Sequence, residues 1–314
     1  MHYTSPIIPK FVKAFVFCCT LIVSFETFAS GFNITEVAPG IYVHQGVHVG
    51  VDNPGREDIA NIGFVIGDRC VAVIDTGGSI AIGQKLKKAI ASKTSLPVCY
   101  VINTHVHFDH LLGNYAFKTS NSRFVGHHHL LKAVEANRQF FAKSFAHELG
   151  SENSTNRVVA PEILVKKRLV LDIGNRKLTL TAYKTSHTSQ DLTVLDEKTH
   201  TLWLSDLLFV DRIPSIDGSL KGWIDISNDL TKLRVSRVIP GHGPLTVDWP
   251  DAMVDQLRYL NVLRDEIRSL IVEGKFLEDA LVSVGQAEKN QWLLFDQYHK
   301  RNVIRSFTEL EWEN

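Results

Sequence analysis

The chain has almost no net charge of either sign: its 314 residues carry 34 basic and 34 acidic side chains. A balance this close to neutral removes the electrostatic reason to expect a nucleic acid as partner. The one basic triplet, Lys166 to Arg168, reads as a solvated face. The chain is also short of apolar length where a membrane span would be sought first. The N-terminal apolar run AFVFCCTLIVSF (residues 14–25) has twelve residues, where a bilayer needs about 20. There is no short-period repeat, low-complexity tract or heptad seam, so solenoid and coiled-coil classes are set aside. Cysteine is scarce, with four in all, and Cys18 and Cys19 lie inside the N-terminal run. What remains is 44% apolar and 22% charged, a globular composition with enough apolar residues for a sizeable core.

The N-terminus reads as a leader. Lys10 and Lys13 form a positive segment, the apolar run follows, and Thr27 and Ala29 in ETFAS stand like the small residues before a signal peptidase cut. Residues 1–29 are expected to be a signal peptide cleaved after about Ala29. Residues 30–314 are then one exported domain, periplasmic or secreted, with no stable membrane insertion after cleavage. An uncut membrane anchor is the alternative. A lipoprotein fits less well, because FVFCC has no small residues before Cys18. The mature chain keeps 32 basic and 33 acidic side chains. Cys70 and Cys99 each lie five residues before the polar end of a strand, Asp75 or Thr104, so in parallel neighbouring strands their sulfurs would lie side by side. An oxidising compartment would permit a disulfide. Two free thiols, acting as small buried hydrophobes, are the preferred expectation.

Along the chain, IYVHQG and NIGFVIGD are short β-rich runs separated by the Gly/Pro/Asp loop VHVGVDNPGRED. CVAVIDTGG and VCYVINTH are strands, and between them Ile82, Leu86, Ala89 and Ile90 recur at helical spacing. Strand, helix and strand in that order predict parallel strands with a right-handed crossover. SRFVGHH is a further strand. A helix over residues 130–149 presents Leu130, Val134, Phe141, Phe145 and Leu149, and the polar stretch 150–162 divides the domain into two halves. KRLVLDIG and KLTLTAYKTSH open the second half as strands, a hairpin follows to Asp206, and VSRVIPGHG is a strand. A helix over residues 250–273 carries Met253, Leu257, Leu260, Ile267 and Leu270 on one face, with Asp248 as cap and Gly274 as stop. Two β-rich halves with helices outside predict an αββα sandwich of two mixed sheets.

Five of these strands end in an acid or a histidine: Asp75, His105, His187, Asp206 and His242. Ligands gather outside strand ends in α/β sheets, and histidine and carboxylate are ligand types that zinc accepts. The stretch VCYVINTHVHFDHLLGN (residues 98–114) concentrates four such side chains, His105, His107, Asp109 and His110. His105, His107 and His187 make one set of ligands. Asp109, His110 and His242 make a second, and Asp206 is placed to bridge the two. Two metals about 3.5–4 Å apart are a known hydrolytic arrangement. A water held between them would be acidified and would attack an electrophilic carbon, with Asp109 orienting it or passing on its proton.

These residues closely resemble the metallo-β-lactamase superfamily. THVHFDH (Thr104 to His110) matches its His-x-His-x-Asp-His signature, SHTSQD carries the second-motif His187, LSD carries the bridging Asp206, and PGHG carries the last histidine, His242. The resemblance runs from about residue 34 to 314. It implies an αββα fold, two zinc ions and hydrolysis of an ester, thioester, lactone or lactam in a small acyl substrate. Aspartate at 206 looks like the glyoxalase II and lactonase type. The wording CVAVIDTGGS, SHTSQDLTVLD, DGSLKGW and ELEWE is similar to exported zinc hydrolases associated with thiosulfate oxidation or PQQ-dependent quinoprotein relays, which implies a periplasmic quinoprotein as partner. Gln190 departs from the family, many of whose members have glycine there; it alters the loop beside His187 without removing a ligand. Persulfide dioxygenases of the same fold use a single iron, which by resemblance would take His105, His187 and Asp206. An accessory protein that holds a metal or cofactor without turnover is the remaining reading.

Other residues are read beside the site. Asp75, Thr104 and Asp191 are expected behind the ligands, bonding the ligand loops in place, or as plain turn residues. The triplet His127 to His129 resembles a metal site but is assigned surface or capping roles, and His44, His48, His147 and His200 read as ordinary. DRIPSIDGSLKGW has loop chemistry and is expected to overhang the metals, with Arg212 or Lys221 meeting a substrate carboxylate and Trp223 forming a wall. Ordinary surface charge and a packed tryptophan are the alternative for those three. VGVDNPGRED is read as a flap on the other side.

Overall fold

Alternation along single strands decides the layers. Every residue of β4 (Val71–Ile74) is buried, so the strand has two apolar faces. Successive side chains point to opposite sides. Val71 and Val73 pack with Ile82, Leu86 and Ile90 of α1 (Ile80–Lys93). Ala72 and Ile74 pack with Leu178, Leu180 and Trp203 of a second sheet. The second sheet repeats the logic. In β11 (Thr201–Phe209), Trp203 faces the first sheet, while Leu202 and Leu204 face Leu260 and Leu263 of α6 (Met253–Val272). Each apolar side chain buried in this way stabilises by about 1.5–3 kcal/mol relative to exposure.

The structure is a computed structural model and describes residues 1–3, 32–151 and 153–313. All but the first three residues of the expected signal peptide, Cys18 and Cys19 among them, lie outside the described residues. Residues 32–314 form one compact unit. Its first sheet has seven strands in the order β1 (Thr35–Ala38), β2 (Ile41–His44), β3 (Ile62–Ile66), β4, β5 (Val98–Asn103), β6 (Arg123–His127) and β7 (Ile163–Val165). The pairs from β1 to β4 are antiparallel and those from β4 to β7 parallel. The second sheet runs β12 (Arg237–His242), β11, β10 (Leu192–Asp196), β9 (Lys177–Ala182) and β8 (Arg168–Asp172). It is antiparallel except for the parallel pair β11–β12.

Two short helices, α2 (Phe108–Leu111) and α4 (Ser154–Arg157), and the longer α3 (Leu130–Ser144) belong to the first half. In the second half, α5 (Leu220–Leu230), α6 and α8 (Phe295–Leu310) cover the second sheet, with α7 (Leu277–Ser283) against α8. One helical layer, two sheets and a second helical layer make the expected αββα sandwich.

Several boundaries move. The chain leaves the first sheet after β7, a few residues beyond the polar stretch 150–162. The helix expected over 130–149 stops at Ser144, although Phe145 and Leu149 stay buried. The helix expected from Pro250 starts at Met253. Asp248 serves the turn before it, its carbonyl accepting from the Ala252 amide, so it is not the cap. Gly274, at φ +72°, stops that helix as expected. Lys221 and Trp223 are not on an overhanging loop: Ser219 accepts a hydrogen bond from the Gly222 amide and starts α5 there. The preference for free thiols is overturned. Cys70 and Cys99 form a disulfide, with Cα atoms 5.9 Å apart, joining the beginnings of β4 and β5.

Candidate metal centre

The parallel strands β4 and β5 end side by side; the loop after β5 carries His105 and His107, and the short helix α2 that follows carries Asp109 and His110. His242 ends β12. Asp206 does not end a strand. It lies inside β11, just after a bulge where Ser205 takes φ +49°, and this bulge re-aims the carboxylate along the rim. His187 lies five residues beyond the end of β9, in a turn built by Asp191. The carboxylate of Asp191 accepts from Ser186 Oγ (2.6 Å), the Thr188 amide (2.9 Å) and Thr188 Oγ1 (2.6 Å). Burial lifts the Asp191 pKa to about 6. Gln190 is buried in the same turn and contacts Ser189 and Thr188.

The seven candidate ligands converge in two groups. In the first, His107 Nδ1 stands 3.0 Å from His105 Nε2 and 3.1 Å from His187 Nε2. Asp206 Oδ2 is 3.6 Å from His105 Nε2 and 3.4 Å from His187 Nε2. In the second, Asp109 Oδ2 is 3.5 Å from both His110 Nε2 and His242 Nε2. Asp206 reaches this group too, with Oδ1 3.1 Å from His110 Nε2 and Oδ2 3.3 Å from His242 Nε2. Within each group all donor atoms lie within 4.8 Å of one another.

The outer nitrogen of each ring decides which nitrogen faces inward. His187 Nδ1 meets Ser215 O and His242 Nδ1 meets Ile59 O, each at 2.7 Å. A carbonyl oxygen only accepts, so these Nδ1 atoms carry the proton and Nε2 offers a lone pair. His110 Nδ1 donates to Asp75 Oδ2 at 2.8 Å, with the same result. His105 Nδ1 is 3.1 Å from Thr104 Oγ1. His107 is turned round: Nε2 lies 2.7 Å from Asp217 Oδ2, which leaves Nδ1 bare toward the other rings. Bare nitrogens that face one another at 3.0–3.1 Å repel unless a cation lies between them. His110 Nε2 and Asp206 Oδ1, though close, are not in hydrogen-bonding geometry and are buried without a partner. The residues present therefore fit a pair of metal ions.

Charge agrees with geometry. Burial pushes His105 well below the ordinary histidine range and His187 down to about 4. Burial acts the same way on His110, but the charges of Asp206, Asp109 and Asp75 outweigh it and hold that ring well above the ordinary range. Burial also opposes ionisation of Asp206, yet His242, His110 and His105 keep its carboxyl well below the usual carboxylate range.

Behind the ligands, Asp75 accepts from the Thr104 amide (2.9 Å) and Thr104 Oγ1 (2.7 Å) as well as from His110. Gly241 is required beside Asp206, since any Cβ there would collide with the Asp206 carboxylate and amide. Sequence reasoning gave Asp217 no role, although it opens the stretch DGSLKGW. Its carboxylate touches His107 and pairs with Arg301 of α8. The triplet His127 to His129 is a third cluster of possible ligands. His127 is nonetheless occupied at both nitrogens, by the His129 amide and by Tyr183 O, and its role is to close the turn before α3.

A cavity of about 550 Å³ opens over the centre, with His107, Asp109, Asp206 and His242 at its floor. Phe108, Phe140, Phe141 and Phe145 line one wall, and Arg212, Tyr298, Arg301 and Arg305 line another. Val51, from the flap-like loop, contributes to the lining. Two expected substrate contacts are corrected. Lys221 pairs with Glu313 at 2.7 Å and is not part of the lining. Trp223 is fully buried, with Nε1 donating to Leu207 O and its ring 5.1 Å from that of His187, so it packs behind a ligand and forms no wall.

Comparison with known proteins agrees with this geometry. Residues 55–242 match the metallo-β-lactamase superfamily. No curated protein matches the chain. Among solved structures, a stereoselective inverting sec-alkylsulfatase from Pseudomonas sp. superposes with TM-score 0.64 at 17% identity, over 89% of this chain and 50% of its own. This chain thus spans half the length of that relative. A β-lactamase domain protein from Burkholderia ambifaria gives 0.58 at 17% identity over 79% of this chain and 78% of its own. A metallo-β-lactamase from Pontibacter korlensis gives 0.56 at 18% identity over 73% and 98%. These identities carry the fold alone. With the match spanning more than half of its length, the chain belongs to the metallo-β-lactamase superfamily.

Proposed function

We propose that the chain is a dinuclear zinc hydrolase that cleaves an ester, thioester, lactone or lactam. The carrying observation is the position of Asp206. One carboxylate reaches nitrogen atoms of both groups at 3.1–3.6 Å, as a residue shared by two ions must. The two ions would supply Lewis acidity at the substrate carbonyl and an acidified water beside it. The other roles fall to the chain. His105, His107 and His187 would hold the first ion and Asp109, His110 and His242 the second, with Asp206 placed to serve both. Asp109 is at the cavity floor, where its carboxylate orients the attacking water and takes its proton for delivery to the leaving group. The water oxygen bonds to the acyl carbon, the bond to the leaving atom breaks, and acid and alcohol, thiol or amine are released.

The reading includes export to the periplasm or beyond, supported by the leader pattern of residues 1–29, and service to a periplasmic quinoprotein system, supported by the wording of the motifs. A single-iron persulfide dioxygenase would need only His105, His187 and Asp206. The convergence of Asp109, His110 and His242 beside them favours two ions. Elemental mass spectrometry on residues 30–314 tests the proposal: about two zinc per chain is expected. One iron per chain, with oxygen uptake on a persulfide, would replace it. Asp109→Asn should lower kcat on a chromogenic ester or thioester by roughly 10²–10⁴-fold, and an unchanged kcat would remove Asp109 from the chemistry.

A further inference from the structure

We infer that Asn302 is a positioning residue for the metal centre: it holds the Ser215 carbonyl that turns His187 inward, so that α8 governs the first group of ligands and not the second. The inference takes the pair of ions from the reading above, but the hydrogen bonds that carry it do not depend on that reading.

The Ser215 carbonyl fixes the proton on His187 Nδ1. It can do so only if its peptide is held, and Asn302 holds the chain on both sides of Ser215. Asn302 Nδ2 donates to Pro214 O at 2.7 Å, and Oδ1 accepts from the Ile216 amide at 3.0 Å. The side chain is completely buried. A relay behind it repeats the same orientation. His299 Nε2 stands 2.8 Å from Val284 O. That oxygen only accepts, so Nε2 carries the proton and Nδ1 is bare. The bare Nδ1 accepts from Tyr259 Oη at 3.0 Å. Tyr259 has then given its one proton, and its oxygen accepts the second Nδ2 hydrogen of Asn302, also at 3.0 Å. A reversed amide would set donor against donor at Ile216 and oxygen against oxygen at Pro214. Asn302 therefore has one orientation, and with it the Ser215 carbonyl has one direction. If that carbonyl shifts, the His187 proton is free to change nitrogen, and a protonated Nε2 cannot take a metal.

Helix α8 grips the rest of the same segment. Arg301 pairs with the Asp217 carboxylate that turns His107, and Arg305 donates to Asp217 O. Glu309 accepts from Ser219 Oγ (2.7 Å) and from the Leu220 amide (2.6 Å). The segment is bonded in turn to the chain around His187. The Asp217 and Gly218 amides donate to His187 O at 3.1 and 2.7 Å, and the Ser219 amide donates to Ser186 O at 2.9 Å. Two of the three histidines of the first group, His107 and His187, are thus oriented through α8. The second group is oriented from elsewhere. His110 donates to Asp75, just past β4, and His242 to Ile59 O, shortly before β3, both in the first half of the chain.

The test uses zinc as the probe. Affinities are read by competition with a chromophoric chelator. The ring nitrogen signals of His187 and His242, in magnetic resonance spectra of protein carrying isotope-labelled histidine, report which group fills. Asn302→Ala should weaken the ion at His187 by roughly tenfold or more and leave the ion at His242 near its wild-type affinity. In the metal-free protein the His187 proton, on Nδ1 in the wild type, should be shared with Nε2 in Asn302→Ala. Tyr259→Phe is the control for stability alone. It breaks the relay but leaves Asn302 on Pro214 and Ile216, so Tm should fall while the zinc affinity at His187 holds. Asn302→Asp keeps the bond from Ile216 and loses the one to Pro214. It should lie between Asn302→Ala and the wild type, and it decides in place of Asn302→Ala if that variant does not fold. Equal weakening of both ions, or equal effects of Asn302→Ala and Tyr259→Phe on affinity, would make Asn302 a residue of the fold alone and overturn the inference. So would a His187 proton that stays on Nδ1 in Asn302→Ala. A wild type that takes up no zinc ends the dinuclear reading but not this one: the His187 proton in the metal-free variant then decides, a shared proton supporting the inference and a fixed one overturning it.

Discussion

Asp217 does for His107 what carbonyl groups do for His187 and His242: it takes the outer N–H and turns the bare nitrogen inward. It is the one of these partners that carries charge and can be changed by substitution. Loss of such a partner weakens metal binding by about 10–100-fold. Asp217→Ala should therefore weaken one of the two ions by that factor in a competition titration with a chromophoric chelator, and leave the other near its wild-type affinity. Asp217→Asn still accepts from His107 and should recover part of the loss. Equal weakening of both ions would mean that Asp217 serves the fold and not the ring. The residue stood in the quoted stretch DGSLKGW without a role, because its link to His107 crosses 110 positions and repeats no spacing. By contrast, His105, His107, Asp109 and His110 were legible because four donors crowd within six residues at the end of an apolar strand. Arg212 was legible as a cation near the metals. Lys221 and Trp223 were not separable from it, since a loop reading cannot say which side chains turn inward; the cap at Ser219 decides that.

At the scale of elements, β4 and β5 form a parallel pair fastened at both ends. The Cys70–Cys99 bridge joins their beginnings, and Asp75, at the far end of β4, holds Thr104 just past β5. The bridge closes a segment of 29 residues, and a loop of that length corresponds to roughly 3–4 kcal/mol of stabilisation in the chain-entropy view. The Cys70→Ser/Cys99→Ser protein should lose most of that in urea unfolding, with a larger m because the unbridged unfolded chain exposes more surface, and oxidised residues 30–314 should show no free thiol under denaturing titration. Free thiols in protein matured under oxidising conditions would overturn the pairing. The sheets themselves were legible from alternation, as in β4 and β11, and the crossover from the strand–helix–strand order. What escaped were features decided by contacts between segments. The bulge at Ser205 that places Asp206 inside a strand is one. The short edge strands β1 and β7 are another, since three or four residues carry too little pattern to stand out. The early stop of α3 is a third: Phe145 and Leu149 satisfy the core without being helical.

At the scale of the molecule, the ligands come from both sheets, so ions would cross-link the rim of the sandwich. Direct bonds already bridge it, from Leu192 N to Thr104 O and from Asn61 N to Gly241 O. Ligands that bind only the folded chain stabilise it by mass action, by about 4 kcal/mol for each site at a thousandfold excess over Kd. Removing the ions should lower Tm by about 10 °C, and adding zinc back should restore it. A Tm indifferent to chelator would show that the rim holds without ions.

The order of the ligands along the chain has a further consequence, for the timing of assembly. The first is residue 105 and the last residue 242, and β12, which carries the last, pairs with β11. A growing or threading chain thus holds no complete centre until most of its length is available, and helix α8, which closes the cavity, comes later still. Ion uptake is placed among the last events of maturation, and a fragment that ends before residue 242 would be an incomplete chelator as well as an incomplete fold.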